Sequence, residues 1–190
     1  MTLVEGPAVA SVRHVRVPGL LLAGVFIAAG FAITFTQDLH GDLLFNQGVF
    51  AIFGIAAGMI LLGTAFARTG APARTPLIVL GVASFGAGLA TLFATSVPIL
   101  SIIITVWAAA VTVVLVWVWA RERLRELLVL AILSGVLAIV LAAGARELPA
   151  VMGFFGGYAV ITAVYLAIAS VDTAKRSTTV PDEAPAKSGS

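Results

Sequence analysis

Long apolar runs alternate with short polar interruptions along this chain, and each run is close to the ~20 residues that a helix needs to cross the hydrocarbon of a bilayer. The runs cover 17–35, 48–67, 77–94, 99–119, 127–145 and 151–171, and the second can begin as early as Leu43. They predict an all-α integral membrane fold of six transmembrane helices, arranged as three hairpins. Pro18 suits the opening of the first helix, because a first turn needs no amide hydrogen there. Thr75 and Pro76 read as a cap and first-turn proline for the third. No small-residue cleavage site follows the first run, so 17–35 reads as a retained helix rather than a signal peptide.

Composition agrees. Hydrophobic residues make up 61% of the 190 and charged residues 11%, with a mean hydropathy of +1.12. A soluble domain carries roughly 25% charge, which excludes that class. No cysteine is present, and this removes disulfides, thiolate metal sites and cysteine nucleophiles. The net charge of +2 resides in short segments beside the apolar runs, which points to membrane orientation rather than to nucleic acid.

Charge placement orients the chain. Trp117 and Trp119 precede Arg121, Arg123 and Arg125 at the boundary between the fourth and fifth runs. Tryptophan favours the headgroup level and arginine the cytoplasmic side, so these five residues anchor the topology. Arg13, Arg16, Arg68, Arg74, Lys175, Arg176 and Lys187 fall on the same side in a six-span count, and only Arg146 falls on the other. Both termini are therefore expected in the cytoplasm, in a multi-pass protein of the cell membrane. Residues 1–16 read as a cytoplasmic segment and 172–190 as a disordered cytoplasmic tail, rich in Pro, Ser, Thr and Lys.

A small signature recurs near the start of the odd-numbered spans: Ala23-Gly24-Val25, Leu80-Gly81-Val82 and Ser134-Gly135-Val136. The even-numbered spans carry Gly48-Val49, Val106-Trp107 and Gly157-Tyr158 at comparable points. Such repeats would be parallel, about an axis along the membrane normal. These hairpins, the stretch Ala120-Arg121-Glu122-Arg123-Leu124-Arg125, and the course Gly135, Pro149, Gly156-Gly157-Tyr158-Ala159 resemble the HdeD-like membrane proteins. The resemblance is strongest over 120–169. It implies a six-helix bacterial inner-membrane protein and a link to acid resistance, and it carries over no active-site residues.

Candidate chemistry is sparse. Asp38, His40 and Asp42 alternate in the outer loop 37–47, so an extended loop would place all three side chains on one face. That arrangement can respond to pH, since an unperturbed imidazole titrates near ~6.5. It can hold a metal only with further ligands, which the sequence does not offer. The simpler reading makes Asp42 a helix cap and leaves Asp38 and His40 solvated.

No Asp, Glu, Lys, Arg or His falls inside a span, which counts against proton-coupled transport. A passive path for a small neutral solute could be lined by Thr34, Thr64, Thr91, Ser101, Thr105, Thr112 or Thr162, although such hydroxyls usually bond their own helix. Gly54 with Gly58, and Gly153 with Gly157, are small-xxx-small surfaces suited to internal packing or to a homo-oligomer. No nucleophile elbow, zinc-helix or phosphate-loop motif occurs, so no enzyme, cofactor or metal is expected. The expected partner is the lipid bilayer itself.

Overall fold

The computed structural model describes residues 7–68, 74–144 and 147–178. Among these there are six α-helices and no strand: α1 (Pro7–Phe35), α2 (Leu43–Ala67), α3 (Arg74–Thr91), α4 (Val97–Glu122), α5 (Arg125–Gly144) and α6 (Leu148–Thr178). Each is long and apolar enough to cross a membrane, the architecture of a multi-pass membrane protein. Most of the 68–74 turn, Arg146 and residues 179–190 lie outside the described residues.

Several helix bounds differ from those expected. Pro18 does not open α1 but sits inside it, and Pro7 takes the first position. An internal proline leaves the carbonyl four residues earlier without its donor, a defect that water can relieve near a membrane surface. Helix α2 starts at Leu43, because Asp42 adopts an extended backbone and accepts from the Leu44 amide at 2.9 Å. Helix α3 stops at Thr91, where three successive i→i−3 bonds at Leu92, Phe93 and Ala94 tighten the chain into the next turn. The tail expected to be disordered from 172 instead continues α6 to Thr178.

The arginine hinge ends α4 by a left-handed residue. Arg123 has φ 56°, the sole positive φ outside glycine among the described residues, and its amide bonds the Trp119 carbonyl at 2.8 Å. Arg121 lies 4.2 Å over the Trp117 ring and Arg123 5.3 Å from the Trp119 ring, so each guanidinium stacks one turn along on an indole.

The six helices close a ring in which each packs against its two neighbours, α6 meeting α1. The most extensive packing joins α2 to α3, α4 to α5 and α6 to α1, rather than the members of the expected hairpins. Small residues explain the closest seams. A Cβ on Gly54 would stand 2.7 Å from the Ser84 carbonyl oxygen, and one on Gly58 2.7 Å from the Phe85 amide. On the α6–α1 seam, Gly30 and Gly156 face each other's helices in the same way. Gly153 and Gly157 do not share this role, since nothing lies within 4 Å of either missing Cβ.

Burial shows a threefold repeat along the ring. Phe50, Ile104 and Phe155 are fully buried at matching places on the even helices, and one turn on come Phe53, Trp107 and Tyr158. On the odd helices the matching residues are Phe26, Ser84 and Ser134, all buried. Each meets its even-helix counterpart: Phe26 and Phe53 edge to face at 4.8 Å, Trp107 Nε1 donating to Ser84 Oγ at 3.1 Å, and the Ser134 and Tyr158 hydroxyls 3.0 Å apart. The Gly-Val dipeptides do not mark this register. Gly24 faces outward with no neighbour, Gly81 packs on Leu62 and Gly135 on Thr112.

Candidate functional site: the buried histidine of the first loop

Between α1 and α2 the chain makes two tight turns, Leu39 N–H to the Thr36 carbonyl at 2.9 Å and Asp42 N–H to the Leu39 carbonyl at 3.0 Å. The residues between are not extended, so their side chains do not alternate along one face. Asp38 and Asp42 are exposed, whereas His40 turns inward and retains only 5% of its surface. The three residues therefore form no common site, and His40 is not a solvated loop residue. Two turns in succession reverse the chain at the level of the last α1 residues and drive the imidazole into the gap above the α1–α2–α6 junction.

Both imidazole nitrogens meet oxygen. Nε2 lies 2.7 Å from the Ile33 carbonyl oxygen and Nδ1 lies 2.9 Å from Asn46 Oδ1. The orientation of the Asn46 amide is fixed independently, because its nitrogen donates to the Asp42 carbonyl at 2.6 Å and to the His40 carbonyl at 3.3 Å. Turning the amide over would set its oxygen against both carbonyls. A neutral imidazole has one N–H and one lone pair, so it can satisfy one of its two neighbours only. The imidazolium satisfies both.

Asn46 is fully buried in the first turn of α2, and Gln47 beside it is 5% exposed and donates to the Ala94 carbonyl. Asn46 ties the first loop to the start of α2, and Gln47 ties that end of α2 to the α3–α4 turn. Read as loop residues, they gave no sign of this. The available hint was two consecutive amides opening an apolar run, where a buried polar side chain must find partners.

On its open side the imidazole borders a cleft of about 470 Å³, walled by Ile33, Thr34, Pro149, Gly153, Gly156 and Gly157. The bare α-carbons of Gly153 and Gly157 keep this cleft wide. Among the described residues, the charged groups at this end of the bundle are the exposed carboxylates of Asp38, Asp42 and Glu147, the last immediately ahead of α6. Among the described residues, no group of three or more His, Asp or Glu is placed to hold a metal ion.

No family model, curated protein or solved structure matches the chain. The reading of this site rests on its own geometry.

The candidate solute path is differently placed. Thr34, Thr64, Thr105 and Thr112 each donate to the carbonyl four residues back, and Thr91 to that three back. These hydroxyls are spent within their own helices. Thr162 makes no such bond.

Proposed function

We propose that this chain is a non-enzymatic, HdeD-like multi-pass protein of the cell membrane that supports survival under acid or envelope stress. Both termini face the cytoplasm in this reading, which follows from the arginine-rich 121–125 stretch and puts the His40 loop outside. The observation that carries the reading is the pair of oxygen acceptors around His40. Protonation lets the ring donate to Ile33 at the end of α1 and to Asn46 at the start of α2 together. Charge-assisted bonds of this kind are roughly twice as strong as neutral ones.

A ring protonated on both nitrogens clasps α1 to α2 through two bonds, whereas the neutral ring has a single N–H for the two acceptors.

The test is survival of an acid shock by a strain lacking the protein, complemented with wild type or with His40→Ala. Wild type restores survival and His40→Ala does not. Equal survival of deleted and complemented strains overturns the proposal.

A further inference from the structure

We propose that the bundle axis holds a binding pocket for a small uncharged molecule with an apolar body and one hydrogen-bonding oxygen. The inference is independent of the acid reading and concerns the opposite half of the bundle from His40. All six helices contribute to a space of about 80 Å³ on the axis. Each supplies one leucine, Leu22, Leu61, Leu80, Leu115, Leu130 and Leu166, so the walls toward the arginine end are a leucine ring. Phe26, Trp107 and Tyr158 line its far end, and Phe50, Phe53 and Phe155 lie packed beyond, 0–2% exposed and with ring centroids 5.0–5.7 Å apart. The space is thus a blind pocket and not a pore.

Its one unsatisfied polar atom is Thr162 Oγ1. This residue is 3% exposed, and its hydroxyl faces the Tyr158 phenol without closing a hydrogen bond of normal geometry. Elsewhere in the bundle Ser134 and Ser170, like the four threonines above, return a bond to the carbonyl four residues back. A buried hydroxyl without a partner destabilises the fold, and a bound oxygen relieves that cost. Thr162 lies one helical turn from Tyr158, whose hydroxyl and that of Ser134 form the only other polar group on that side of the pocket.

The chemistry of the walls selects the ligand. No Asp, Glu, Lys, Arg or His lines the pocket, so a charge inside would be unpaired in a low-dielectric space. Water needs two to four polar partners, and leucine supplies none. An apolar cavity of about 150 Å³ holds a benzene ring, so this one, about half that size, suits about three to four non-hydrogen atoms. The ligand class is a short alcohol or carbonyl compound.

The full chain carries three tryptophans, and only Trp107 lines the pocket. In the Trp117→Phe/Trp119→Phe protein, purified in detergent, Trp107 is therefore the sole indole, and contact with bromine quenches it. Titration with 2-bromoethanol and with 1-bromopropane, molecules of equal heavy-atom count, reads occupancy. Quenching by both is expected to saturate. Adding Thr162→Val, an isosteric change that removes an unsatisfied hydroxyl and preserves the fold, is expected to weaken 2-bromoethanol about fivefold, the worth of one hydrogen bond. It leaves 1-bromopropane unchanged or tighter. Quenching that rises linearly without saturation overturns the proposal, as does an equal response of the two compounds to Thr162→Val.

Discussion

Trp107 on α4 donates its indole hydrogen to Ser84 on α3 across 3.1 Å, both residues buried in the bundle. The bond occupies the place that Phe26 and Phe53 fill with an aromatic contact, and Ser134 and Tyr158 with a hydroxyl pair. One geometry is thus met by three chemistries. Ser84→Ala leaves the buried indole N–H without an acceptor and is expected to destabilise the protein by about 1–3 kcal/mol. Denaturant unfolding in detergent measures it, and an unchanged midpoint would remove the bond from the stability of the ring.

The two glycine pairs separate under substitution. Gly54→Leu forces a side chain into the backbone of Ser84 and Gly88 and is expected to cost about 3 kcal/mol or more. Gly153→Leu meets open space in the His40 cleft and is expected to leave the unfolding midpoint within about 0.5 kcal/mol of wild type. Equal effects of the two would contradict the assigned seams.

His40→Phe removes both hydrogen bonds of the imidazole and leaves the Ile33 carbonyl and Asn46 Oδ1 without that partner, and is expected to destabilise the protein by about 1–3 kcal/mol in detergent unfolding. An unchanged midpoint would remove the ring from the clasp between α1 and α2.

Membrane orientation is checked by single-cysteine labelling, for which a chain without native cysteine is well suited. Asp38→Cys is expected to react with an impermeant maleimide in intact cells, and Glu122→Cys only after permeabilisation. Both side chains are exposed and neither caps a helix by its carboxylate. The opposite pattern would place His40 inside the cell and remove its access to external acid.

The number of helices was legible in the sequence because hydropathy over some twenty residues is a strong signal, and Asp42 showed itself as a cap by its position ahead of an apolar run. The repeat was legible in kind but not in register. Gly-Val pairs drew the eye, whereas the equivalent places hold Phe26, Ser84 and Ser134, residues of unlike size and polarity that share only a location. His40 was misplaced for another reason. The pattern of charged and polar residues in 37–47 says nothing of two tight turns, and an extended loop exposes what those turns bury. Gly153 and Gly157 do not pack within the bundle, because a spacing of four defines a face of α6 but not what lies against it; Gly156, between them, is the one that meets α1.

The closure of the ring by α6 against α1 has a consequence for biogenesis. Gly19 and Gly30 find their partners, Ser170 and Val160, only near the far end of the chain. While the ribosome is still extending the intervening helices, the first one inserted must wait in lipid with its small-residue stripe uncovered. Without α6, α1 keeps only its contact with α2, and the face that carries Gly19 and Gly30 stays uncovered. Insertion of α6 closes the ring, and the first and sixth helices become neighbours.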